Sequence, residues 1–115
     1  RRTSIPDIAK KSLTGKNPTT VIFNNLNNNQ LNHKSIAIRI PKNKFCLSII
    51  DKLNRPLTST SANLTGSPYP KSKADINKKI IHGVDYFVET IDNDNLRPSR
   101  IIRIIDEKNY TVIRD

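Results

Sequence analysis

Three places in the sequence hold residues that could handle charged small molecules. The run Thr58-Ser59-Thr60-Ser61-Ala62-Asn63 ends a β-prone stretch with hydroxyls and small side chains. Such a run lets backbone N–H groups come close to an anion, and open α/β sheets bind ligands just outside their strand ends. The same letters also describe a turn whose hydroxyls satisfy its own backbone. The second place is Arg39, inside the apolar stretch Ile36-Ala-Ile-Arg-Ile-Pro41. If buried, its guanidinium requires a carboxylate or phosphate partner, because an unpaired buried charge is costly. Arg is also the side chain best shaped to clamp a carboxylate through two parallel hydrogen bonds. The alternative is an Arg on the exposed face of a half-buried strand. Arg114, near the end of another β-prone stretch, poses the same choice.

Other chemistries have no foothold. There is no GxxxxGK phosphate loop and no GxGxxG. His33 and His82 lack partners at ligand spacing and read as surface residues, so no metal site is expected. Cys46 is the single cysteine, which excludes an internal disulfide. Lying between Phe45 and Leu47, it reads as a buried, inert thiol, and this cysteine usage suits a reducing, cytoplasmic setting. No stretch approaches the roughly 18 apolar residues of a membrane span. Arg1-Arg2 leads into a polar segment rather than a signal peptide, so no membrane partner is expected.

The formal charge of +10 over 115 residues attracts polyanions. The basic residues are scattered, however, and no aromatic residues interleave with them. Lys, Asn and Ile are abundant together, which is the compositional signature of AT-rich coding. The charge therefore supports either general anion affinity or a non-catalytic RNA-binding module acting on tRNA or ribosomal RNA.

These residues must be positioned by short elements. Pro6 suits a first helical turn, and Ile5, Ile8 and Leu13 at helix-like spacing predict a helix to about Leu13, stopped by Gly15. Thr19 to Phe23 is β-branched and reads as a strand. Asn24 to His33 reads as a surface loop. Ser35 to Ile40 is a second strand, with Ser35, Ala37 and Arg39 on one face and Ile36, Ile38 and Ile40 on the other. Phe45, Ile49, Ile50 and Leu53 mark an amphipathic helix. Further strands are expected at Pro56 to Ser59, Val84 to Glu89, Ser99 to Ile105 and Tyr110 to Arg114, with a short helix from Ile76 to about Gly83. This order is α/β, and the closely spaced last strands make the sheet mixed. No second domain is expected.

With these segments in place, Arg55-Pro-Leu-Thr-Ser-Thr-Ser-Ala-Asn-Leu-Thr-Gly66 resembles the signature of the YrdC/TsaC family. Ile36-Ala-Ile-Arg-Ile-Pro41 resembles that family's Val-Ala-Val-Arg-x-Pro strand. Asn17-Pro-Thr-Thr-Val-Ile-Phe23 resembles its Pro-Gly-Pro-x-Thr strand, without the Pro-Gly-Pro form. Arg97-Pro-Ser-Arg-Ile-Ile102 and Thr111-Val-Ile-Arg114 resemble its closing strands. The likeness covers nearly the whole chain in the right order. Tyr69 stands where many members have a small hydroxyl residue, and the family's N-terminal Lys-x-Arg motif has no counterpart here.

The resemblance implies a partial YrdC-like domain over 1–115: a twisted, mixed open α/β sheet with flanking helices, its N-terminal portion missing. It implies a nucleotidyltransferase, a threonylcarbamoyl-AMP synthase. Such an enzyme makes threonylcarbamoyl-adenylate and pyrophosphate from L-threonine, bicarbonate and ATP, with Mg²⁺ on the phosphates. A transferase complex then passes the threonylcarbamoyl group to tRNA. Carried over by motif, Arg39, Ser59 and Ser99 would contact threonine. Ser35, Ser61, Asn63 and Arg114 would contact ATP.

Overall fold

A computed structural model of the chain describes residues 5–24, 35–89 and 97–115. The loop expected to run on from Asn24, and His33 within it, lie outside the described residues. The described chain forms two compact units. The first comprises the described residues up to Arg55 together with Ser99–Asp115, and the second those from Pro56 to Pro98.

The first unit is built on a four-stranded sheet. Its strands are β1 (Thr19–Asn24), β2 (Ser35–Arg39), β3 (Arg100–Ile104) and β4 (Tyr110–Arg114), in the order β2-β1-β3-β4. β1 pairs antiparallel with β2 and parallel with β3, and β3 pairs antiparallel with β4. The sheet is therefore mixed and open, and with its helices the unit is α/β, as the sequence predicts.

One helix, α1 (Asp7–Thr14), supplies the core contacts. The Pro6 carbonyl accepts from the N–H groups of Ala9 and Lys10, which starts the helix, and Asp7 complements the positive end of its dipole. Ala9 and Leu13, four residues apart, share a face and bury it against Val21 of β1 and Ile102 and Ile104 of β3. Ile8 and Phe23 pack around this cluster. Thr19 is buried beside it, and its hydroxyl donates to the Asn17 carbonyl at 3.0 Å.

The second helix, α2 (Lys44–Leu53), is well capped but uncovered. The Asn43 side chain accepts from the Cys46 N–H, and Asn54 ends the helix in the left-handed region with φ 52°. None of its residues is buried. Phe45, Leu47 and Leu53 are exposed, and so is Cys46, against the expectation of a buried thiol. Apolar neighbours in sequence shield a side chain only when something packs on their face of the helix.

The second unit carries a 3₁₀ turn at Lys73–Asp75 and a short helix, α3 (Lys78–Gly83), capped by the Asn77 side chain. Two expectations fail here. Neither Pro56 to Ser59 nor Val84 to Glu89 forms a strand. A strand exists only as part of a ladder, and among the described residues this unit contains no strand to pair with. Pro56 also lacks the N–H that a ladder needs. The 84–89 segment is held by side chains instead: Lys73 pairs with the Glu89 carboxylate and lies 5.3 Å from the Phe87 ring centre. Among the described residues, no helix is long and apolar enough to cross a membrane.

Candidate functional site

Residues directly opposite one another in neighbouring strands share a face of the sheet, and successive residues alternate. Val21 and Ile102 are paired and face α1. The adjacent row therefore faces the other way: Arg39 of β2 pairs with Thr20 of β1, Thr20 with Ile101 of β3, and Ile101 with Arg114 of β4. Ser35 shares this second face with Arg39, because four residues separate them on β2. Ser99 precedes Arg100 and joins the same face. All four candidates of the first unit, Ser35, Arg39, Ser99 and Arg114, thus lie on the side of the sheet opposite α1.

Arg114 reaches this face through a β-bulge. Tyr110, Thr111 and Val112 pair in order with Ile104, Arg103 and Ile102, and Ile101 then pairs with Arg114. Ile113 is the extra residue. An uninterrupted register would set Arg114 opposite Arg100, on the face of α1, with two guanidiniums directly across from each other. With the bulge, Arg100 Nε lies 3.3 Å from the Asp115 carboxylate, and its guanidinium sits 5.8 Å from the Tyr110 ring centre. Bulges re-aim side chains in this way.

The re-aimed Arg114 meets Ser99. Its Nε and Nη2 donate to the Ser99 carbonyl at 3.0 and 2.7 Å, and Nη2 also lies 3.4 Å from Ser99 Oγ. Ser99 Oγ in turn lies 2.7 Å from Thr20 Oγ1. One connected polar group therefore spans β1, the start of β3, and β4. Thr20 was legible in the sequence only as a strand residue. Alternation along Thr19-Thr20-Val21 implies that one threonine faces each way, but the letters do not say which of them meets the polar face.

Arg39 stands at the edge of this group, exposed, with no hydrogen-bond or ion-pair partner among the described residues. The exposed alternative is the one the structure adopts, and water removes the need for a buried counter-charge. Arg39 and Arg114 stand three strand spacings apart in their row, about 14 Å at the usual interstrand distance. Arg103, paired with Ile22 and Thr111, adds a third guanidinium to this face. Its strand positions include no carboxylate. Three guanidiniums therefore give this face a positive character.

The remaining candidates, Ser59, Ser61 and Asn63, belong to the second unit. Asn63 braces a turn: Nδ2 donates to the carbonyls of Leu64 and Ser67 at 3.3 and 2.8 Å. The Ser67 N–H bonds to the Leu64 carbonyl, and Gly66 supplies the positive φ of 83° that a type II turn requires at its third position. Here the turn does satisfy its own backbone. Ser59 and Ser61 are exposed, and their hydroxyls make no hydrogen bond to the described residues. A cavity of about 160 Å³ lies between Ala62–Leu64, Pro68, Asp75 and Asn77. This is below the roughly 300 Å³ at which small-molecule pockets begin. Asn63 Oδ1 is shielded from solvent and has no partner among the described residues.

Comparison with known proteins identifies the family. The profile of the Sua5/YciO/YrdC family, described as "Telomere recombination", matches residues 2–115. A protein of Methanocaldococcus jannaschii named "Putative threonylcarbamoyl-AMP synthase" is 39% identical over 79 residues, covering 67% of this chain and 36% of that protein. A "Threonylcarbamoyl-AMP synthase" of Idiomarina loihiensis is 30% identical over 81 residues, covering 70% of this chain and 42% of that protein. The matched stretch thus spans well under half the length of these curated relatives. No solved structure matches the chain.

Proposed function

This chain belongs to the Sua5/YciO/YrdC family, and from that premise we propose that it provides part of the active site of a threonylcarbamoyl-AMP synthase serving tRNA modification. The observation that carries the proposal is the similarity, over two thirds of the chain, to two proteins that bear that name. In the proposed reaction the threonine amine adds to the carbon of bicarbonate, and water leaves. An oxygen of the resulting carbamate then attacks the α-phosphorus of ATP. The bond from that phosphorus to the bridging oxygen breaks, and pyrophosphate departs with both electrons.

Arg39, Ser59 and Ser99 would hold threonine, and Ser35, Ser61, Asn63 and Arg114 would hold ATP. Within the first unit, one contact supports this division. Arg114 and Ser99, assigned to different substrates, touch each other, and a transfer between two substrates needs their sites to share a wall. Arg39 is exposed and has no ion-pair partner among the described residues, which leaves it open to a carboxylate. The guanidiniums on the polar face would stabilise the negative charge that builds at the α-phosphate. Among the described residues, no three His, Cys, Asp or Glu side chains gather where they could hold a metal ion. Mg²⁺ would accordingly ride on the phosphates and keep much of its water.

Calorimetry with ATP and L-threonine tests the reading. Arg39→Ala is expected to weaken threonine binding by about a hundredfold, the cost of a charge-assisted hydrogen-bond pair, and to leave the fold intact. Absence of ATP and threonine binding by the wild-type chain overturns it, as does unchanged threonine affinity in Arg39→Ala. The charge of +10 favours a second reading, a non-catalytic RNA-binding module. That reading predicts submicromolar RNA affinity falling steeply with salt, and weak, salt-insensitive binding excludes it.

A further inference from the structure

We infer that Thr20 is a positioning residue that fixes the Ser99 hydroxyl for its ligand. The inference rests on the proposed function for what Ser99 binds, but not for how Ser99 is held. Ser99 Oγ lies 2.7 Å from Thr20 Oγ1 and 3.4 Å from Arg114 Nη2, and the Ser99 carbonyl takes two further bonds from the same guanidinium.

The hydrogen-bonding capacity of the three groups restricts the arrangement. A serine hydroxyl has one proton and two lone pairs, and a guanidinium only donates. Arg114 therefore uses one lone pair of Ser99 Oγ. When Thr20 donates into the other, both lone pairs are filled and the Ser99 proton is left as the one interaction the hydroxyl can still make. That proton can only go to an acceptor, such as the carboxylate of an amino acid. A cation donating into the same oxygen strengthens the Ser99 O–H as a donor. Thr20 suits the task because a β-branched side chain on a strand has few rotamers. Its neighbours in the row, Arg39 and Ile101, hold β1 from both sides.

Thr20→Val keeps the shape and β-branching and removes the donor, whereas Thr20→Ser keeps the donor. Two readouts on the full chain separate the possibilities. The first is the Ser99 χ1 rotamer, from NMR coupling constants without ligand. Wild type and Thr20→Ser are expected to populate one rotamer, and Thr20→Val to average over several. The second is L-threonine affinity by calorimetry. It should fall about tenfold in Thr20→Val, the worth of one hydrogen bond, and recover in Thr20→Ser. A Ser99 rotamer that stays locked in Thr20→Val overturns the inference whatever the ligand. Where the wild type binds threonine, unchanged affinity in that variant overturns it as well. If the wild type does not bind threonine but Ser99 is released in Thr20→Val, the positioning role stands and the proposed function fails.

Discussion

Arg114 illustrates what a single residue contributes beyond its charge. Its Nε and Nη2 grip one carbonyl, that of Ser99, so the plane of the guanidinium is set by β3. Lysine would keep the charge but not the planar fork. Arg114→Lys is therefore expected to leave the thermal midpoint within a few degrees and to lower ATP affinity about tenfold, the worth of one well-aligned hydrogen bond. Calorimetry checks this, and equal affinity for both side chains would reduce Arg114 to a point charge. Cys46 makes the complementary case. Its apolar neighbours in sequence suggest burial, yet the thiol is exposed, because burial belongs to the helix face and its cover rather than to neighbouring letters.

Among the elements, the bulge in β4 has the largest functional consequence. Deleting Ile113 removes the bulge, places Arg114 directly after Val112 and leaves it opposite Ile101, on the same face. The deletion is therefore expected to keep the Arg114–Ser99 contact in a regular β3–β4 ladder, because the side chain stays on the polar face. Amide exchange in β4 and the start of β3 should be no faster than in the wild type, and accelerated exchange there would mean that the contact needs the bulge itself rather than the pairing of Arg114 with Ile101. The turn between β3 and β4 gives a pH prediction. Asp106 accepts from the Asn109 side chain and from the N–H groups of Lys108 and Asn109. These bonds hold its pKa below the ordinary 3.8, the Asn109 side chain contributing most. A carboxyl lowered on folding stabilises the fold above its unfolded pKa, and the contribution is lost as pH falls through the folded value. The amide shifts of Lys108 and Asn109 should accordingly titrate with a midpoint below 3.8, and Asp106→Asn should remove that titration. The strands expected at Pro56 to Ser59 and Val84 to Glu89 failed at this same scale, because β-propensity does not supply a pairing partner.

For the molecule as a whole, the core is thin. Only Ala9, Leu13, Val21, Ile102 and Ile104 are buried apolar residues among those described. Ile102 is fully buried, so Ile102→Ala should cost about 2–5 kcal/mol. That is a large fraction of the 5–15 kcal/mol typical of a domain. Ile36 is 48% exposed, and Ile36→Ala should change stability by about 0.5 kcal/mol or less. Urea denaturation distinguishes the two, and similar losses for both would place the stabilising core elsewhere.

Local chemistry was readable from the letters alone. Alternation in Ser35-Ile-Ala-Ile-Arg39 separated its two faces, and Pro6 stands where a helix begins. The ordered motifs carried the family. Each of these signals depends on residues a few positions apart, whose geometry the backbone itself constrains. Tertiary structure alone decided that Thr20 rather than Thr19 meets the polar face, that Ile113 is skipped, and that Arg114 closes on Ser99. Those outcomes depend on pairing between segments distant in sequence, as with Thr20 and Ser99, 79 positions apart. A one-residue shift in such a pairing reverses every side chain of a strand, and no local pattern records it.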